Sequence, residues 1–112
     1  VIDRNEAAFD NLSAEFSGFR VLGEATEQAT LRQAHIQRAD CVLAVTPDDN
    51  ANVMIAQMAR VTFGVPKVMA RVFDPARENV YREFGIDTVN PTIASVELFL
   101  QALTKPREAR ER

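Results

Sequence analysis

The chain has 112 residues and a formal net charge of −3, with 46% hydrophobic and 26% charged residues. That length holds one domain at most and excludes an enzyme with a separate substrate domain, while the apolar fraction is enough for a core and argues against disorder. The mild acidity argues against nucleic acid or an anionic membrane as the main partner, one cysteine and one histidine exclude a disulfide framework and a Cys/His zinc cluster, and no apolar run approaches the roughly 20 residues of a membrane helix.

The chain opens on Val1 inside an apolar segment, so it is expected to be a piece of something longer. Val1-Ile2 reads as the end of a strand. Phe9, Leu12 and Phe16 follow at helical spacing, with Asp3 and Asn5 as candidate caps and Gly18 as the stop. Phe19 to Leu22 predicts a second short strand, and Thr26 a cap for a helix that turns Leu31 and Ala34 inward. Cys41 to Val45 is a continuous apolar run, the pattern of a strand covered on both faces, where Cys41 serves as a small hydrophobe. His35, just before it, stands where glycine usually ends a helix in the left-handed conformation.

Asp48 or Asp49 opens a longer helix with Val53, Met54, Met58, Val61 and Phe63 inward, closed by Gly64 and Pro66. Lys67 to Val72 is the next strand. Asp74 and Pro75 start another helix, with Val80 and Phe84 one turn apart and Gly85 as its stop. Ile86 to Val89 predicts a fifth strand, and Ile93, Val96, Leu100 and Leu103 line a last helix within a domain spanning 1–104. The charged tail 105–112 is expected to fray. Strands alternating with helices specify βαβ units on a parallel sheet, an α/β fold.

Asp3 ends the first strand, where its carboxylate can cap the next helix or accept hydrogen bonds from an adenosine ribose. Arg4 beside it can lie on an adenine face or be solvated; Asp3 repels a 2′-phosphate, which Arg4 would accommodate. Glu24, after Gly23, can receive an adenine amino group or belong to a surface turn. The segment Thr46 to Asn52 opens the long helix, whose free N–H groups suit a phosphate, although Asp48 and Asp49 repel anions. Thr46 and Asn52 are the better ligand candidates there. Arg71, closing the fourth strand, points to phosphates or to a salt bridge with Asp74 or a neighbouring acid. No serine–histidine–acid arrangement, acid pair or phosphate-transfer lysine stands out, so enzyme chemistry has little support.

In order, VIDRN, VLGEAT, LRQAHIQRADCVLAVTPDDNAN, VPKVMARVFDP and FGIDTVNPT resemble the TrkA-N (RCK/KTN) domain of potassium channel and transporter regulators, from Val1 to about Leu103. The resemblance implies a Rossmann-like doubly wound parallel sheet that binds NAD(H) or ATP/ADP, assembles as dimers or higher oligomers and gates a membrane potassium channel or transporter from the cytoplasm without catalysing a reaction. It implies Asp3 on the ribose, Glu24 and Ala25 beside the adenine, Thr46 and Asn52 in the pocket and Arg71 toward the phosphates. Family members usually carry Asp at the position of Glu24 and Gly at that of His35. They also begin with a strand and a G-x-G-x-x-G turn about 20 residues before the ribose acid. About 30 further N-terminal residues are therefore expected, and a gap between the strand ending at Ile2 and the strand ending at Val45; alone, the 112-residue chain should bind nucleotide poorly. The competing reading is a fragment of the cofactor domain of an NAD(P)-dependent oxidoreductase.

Overall fold

In the computed structural model, which describes residues 1–105, a 3₁₀ turn joins the first two of five strands and an α-helix follows each of the last four. The strands are β1 (Ile2–Asp3), β2 (Val21–Leu22), β3 (Cys41–Ala44), β4 (Lys67–Arg71) and β5 (Asp87–Val89). The helices are α1 (Gln28–Gln33), α2 (Asp49–Gln57), α3 (Glu78–Glu83) and α4 (Pro91–Thr104). Every pairing is parallel: β1 with β2, β3 with β4, and β4 with β5. No ladder joins β1 to β3, so the strands form a pair and a triplet with an open slot between them. All but Lys105 of the charged tail lies outside the described residues.

The core sits under the triplet. β4 is paired on both sides, and its inward residues Val68 and Ala70, with Val72 just beyond, are buried. Against them α2 and the turn that continues it lay Asn52, Ile55, Ala56 and Ala59, the i, i+3, i+4, i+7 face of a helix. The sequence pattern favoured Val53, Met54, Met58 and Val61 instead. Val61 and Met54 are 67% and 50% exposed, while Val53, Met58 and Phe63 only flank the core. Small residues won the inner face because two alanines let the helix axis approach the sheet closely, and hydrophobicity alone does not encode that need. Likewise α3 buries Tyr81, with Val80 and Phe84 outside.

Other expectations shift for related reasons. Phe9, Leu12 and Phe16 do not share an α-helix: Glu6–Asn11 is a 3₁₀ turn capped by Asn5, with no buried residue against which a longer amphipathic helix could be stabilised. Glu27 rather than Thr26 precedes α1, and no side chain caps it. β3 is not covered on both faces. Cys41, Leu43 and Val45 are exposed on one side, while Ala44 packs on the other. The last helix, α4, forms as predicted, capped by the Asn90 side chain, but buries none of its residues. α2 runs on into a π-turn, Met58–Thr62, from which Arg60 donates hydrogen bonds to the Val65 and Pro66 carbonyls just beyond it.

His35 is the one non-glycine residue described with positive φ, 61°, and it ends α1 as the pattern required. A left-handed conformation costs a residue bearing a Cβ about 1–2 kcal/mol. Glycine removes that cost but gains unfolded-state entropy, so His35→Gly should stabilise the fold by a net of about 0.5–1 kcal/mol. A higher urea midpoint with an unchanged m-value is the expected result.

Candidate functional site

Because all strands are parallel, the C-terminal ends of β1, β2 and β3 open on the same edge. A cavity of about 520 Å³ fills the slot between β1 and β3, lined along its length by both strands, and Asp3, Arg4, Glu24, Ala25 and Thr46 border it at that edge. Five of the seven residues singled out from the sequence therefore meet around one space. Asn52 and Arg71 stand behind it, tied to its wall.

Asp3 Oδ1 accepts a hydrogen bond from Asn5 N at 2.9 Å, an Asx-type turn that fixes the carboxylate, while the capping of the next turn falls to Asn5, whose Oδ1 accepts from Ala7 N at 3.1 Å. Asp3 Oδ2 has no partner among the described residues and stays available as an acceptor. Across the opening, Arg4 pairs with Glu24 at 3.7 Å. Both side chains are largely exposed, so this contact contributes less than about 1 kcal/mol and can reorganise. Gly23 lies between them for steric reasons: a Cβ there would meet the Thr30 side chain of α1 at 3.0–3.1 Å.

Thr46 is held firmly. Its N–H donates to Asn52 Oδ1 at 2.9 Å, its hydroxyl lies 2.7 Å from the same oxygen, and its carbonyl accepts from Asn52 Nδ2 at 2.9 Å. The second Nδ2 proton goes to Arg71 O at 3.0 Å. Arg71 donates from Nη2 to Val45 O, lies over the Phe73 ring at 5.3 Å, and keeps Nε buried without a partner. The bridge to Asp74 does not form, since Asp74 pairs with Arg77.

The acid pair has two separate duties that its adjacency in sequence conceals. Asp48 caps α2 by accepting from Asn50 N at 2.9 Å. Asp49 reaches the loop after β4, accepting from Phe73 N and from Asp74 N at 2.9 Å. The Tyr81 hydroxyl completes this join by donating to Asp49 O at 3.1 Å. Sequence reading missed Asp49 and Tyr81 as organisers of the site's rear wall. The signal available was a single tyrosine in α3 between residues that face solvent. Among the described residues no group of three or more His, Cys, Asp or Glu side chains could hold a metal ion, and no helix is long and apolar enough to cross a membrane.

Parallel strands with crossover helices and a crevice at their carboxyl ends define a Rossmann-like α/β lobe. Two solved domains share this fold. The TrkA-N domain of the Escherichia coli inner membrane protein ybaL superposes with a TM-score of 0.75 at 20% identity, covering 93% of this chain and 76% of that one. The NAD(P)-binding domain of an exopolyphosphatase-related protein from Archaeoglobus fulgidus gives 0.72 at 21%, covering 94% and 78%. The TrkA-N domain pattern itself matches residues 1–91, and the chain belongs to that family. Trk system potassium uptake protein TrkA of Streptomyces coelicolor is 45% identical over 96 residues, and that of Mycobacterium tuberculosis 36% over 93 residues. These alignments take in 86% and 82% of the chain but only 41% and 42% of the relatives, so the chain spans less than half of their length.

Burial raises the pKa of Tyr81, the nearby Asp49 charge adds to the rise, and Arg77 opposes it. Below the ordinary phenol range Tyr81 is protonated in both states and its contribution is complete. As pH rises beyond about 10 the unfolded chain ionises first, and stability falls until the folded pKa is passed. Tyr81→Phe should lose about 1 kcal/mol at pH 7, yet decline less steeply than the parent in alkali. Urea titrations between neutral and strongly alkaline pH check this; parallel curves would contradict it.

Proposed function

We propose that the chain is the nucleotide-binding lobe of a cytoplasmic regulator that controls a membrane potassium channel or transporter, taking NAD(H) or ATP/ADP as its signal. The observation that carries this reading is Asp3: a carboxylate at the end of a parallel strand, fixed by Asn5, with one oxygen free and facing a cavity shared with Ala25 and Thr46. That is where a ribose is held in dinucleotide folds. Glu24 and Ala25 would border the adenine, and the Arg71 guanidinium, tied to Val45 O behind the cavity wall, would lie toward the phosphates. The names of the two actinobacterial relatives supply potassium uptake as the process. Regulation rather than catalysis is the reading that the potassium-uptake relatives and the family match support. Regulation requires different nucleotide affinity in the two gating states, because equal affinity shifts no equilibrium.

The membrane partner would be a potassium channel or transporter subunit, and the lobe would dimerise or form a higher homo-oligomer. Supporting the second point, α4 exposes Val96, Phe99, Leu100 and Leu103, a larger apolar surface than an isolated helix in water sustains. In light scattering, the parent protein should exceed monomer mass and a Phe99→Glu/Leu103→Glu variant should return to it; a strict monomer at high concentration counts against the assembly.

Calorimetric titration of the full-length protein with ATP, ADP, AMP, NAD, NADH and NADPH tests the binding reading. Asp3→Ala should weaken the preferred nucleotide about tenfold or more, the loss of a charge-assisted hydrogen bond pair. Unchanged affinity would remove the ribose assignment.

A further inference from the structure

We infer that Asn52 positions the nucleotide site without touching the nucleotide: its carboxamide locks the end of β3 to the end of β4, so that Thr46 faces a ligand from a preformed wall that Arg71 backs. This inference rests on the nucleotide reading above. Asn52 is fully buried, and each of its hydrogen-bonding positions is taken. Its two Nδ2 protons go to Thr46 O and Arg71 O, and its Oδ1 receives the Thr46 N–H and faces the Thr46 hydroxyl. A carboxamide offers two donors and one acceptor oxygen, so nothing remains for a ligand. The orientation of the amide is fixed by the backbone, since an N–H must meet Oδ1 and two carbonyls must meet Nδ2.

The need for such a group arises from the sheet. Regular pairing between β3 and β4 ends at Ala44 and Ala70, while β4 continues beside β5 through Arg71 and Val89. Beyond Ala44 the chain turns away into α2, which would leave Thr46 N, Thr46 O and Arg71 O unpaired in a half-buried region. Asn52 replaces the missing ladder as a detached peptide group. Arg71 makes a second tie over the same gap through Nη2 and Val45 O. The main chain at Val45 and Thr46 is thus bound to residue 71 by both its backbone and its side chain, and Thr46 cannot move apart from the end of β4.

The clamp also sets what Thr46 offers. The Thr46 hydroxyl has two internal acceptors, Asn52 Oδ1 at 2.7 Å and Asp48 O at 3.1 Å, and receives Asp48 N at 3.2 Å, so its one proton is spent inside the protein and one lone pair of Oγ1 remains. It accepts from a donor such as a ribose hydroxyl or an amide nitrogen, and does not donate to a phosphate.

Asn52→Asp in the full-length protein separates positioning from bulk stability. At neutral pH its carboxylate turns an oxygen onto two carbonyls; burial and those carbonyls raise its pKa, and once protonated it regains one donor. Affinity for ATP and NADH should fall about tenfold near pH 7.5 and largely recover near pH 5.5, while the parent shows no such recovery. Hydrogen exchange at the Thr46 amide should quicken at pH 7.5 beyond any change in global unfolding. Asn52→Ser, which keeps one donor and one acceptor, gives an intermediate loss of about threefold if the aspartate variant does not fold. A parent that binds while the folded variants keep parental affinity, or keep Thr46 protection, overturns the positioning role alone. A parent that binds none of the nucleotides overturns the functional reading, and this role with it.

Discussion

Parallel pairing is the constraint on which everything else depends. A parallel ladder cannot be closed by a tight turn, so every strand must be followed by a crossing segment before the next begins. Repeated along the chain, that rule brings all strand ends with the same polarity to the same edge. Asp3, Glu24, Thr46 and Arg71 are far apart in sequence, yet each follows or closes a strand, and the topology alone gathers them. The edge also collects the unpaired groups of strands that have just ended, which is why its side chains are polar and why so many of them bond to backbone.

That last point separates the two kinds of polar residue at the edge. Asp3 and Glu24 are held at one side only and present free acceptor surface to the cavity. Asn52, Asp49 and Tyr81 spend their hydrogen-bonding capacity inside the protein, replacing ladder bonds where the triplet of strands splays apart. A buried carbonyl without a partner costs about 1–3 kcal/mol, so these internal bonds are conditions for the edge to exist. They decide where the exposed acceptors can stand.

Much of this was legible in the residues. The alternation of apolar runs with Asp, Asn and Gly stops marked five strands and most of the segments between them, and the Asp-Pro pair marked one helix start. The left-handed turn at His35 followed from its place one residue past a helical pattern. Burial was less legible. Methionine and valine outrank alanine on any hydrophobicity scale, yet on α2 the inner face needs small volume, and Ala56 and Ala59 hold it. Nor could the sequence divide labour between Asp48 and Asp49, because one caps its own helix and the other meets a loop 24 residues later. Asn52 was read as a ligand because position along the helix start suggested it; only the backbone geometry around it shows that its donors and acceptor are already occupied.

The alanine face of α2 has a consequence for how this lobe can vary. Ala56 lies one helical turn beyond Asn52 on the same inward stripe, and it is fully buried against the sheet. An added methyl or ethyl group there has no space to enter, so the helix would shift outward by a fraction of an ångström. The bonds that Asn52 makes to Thr46 and Arg71 run from 2.7 to 3.0 Å and tolerate little such movement. Side-chain volume at a position that touches no ligand is thereby transmitted to the cavity, and a drift in core size becomes a drift in binding.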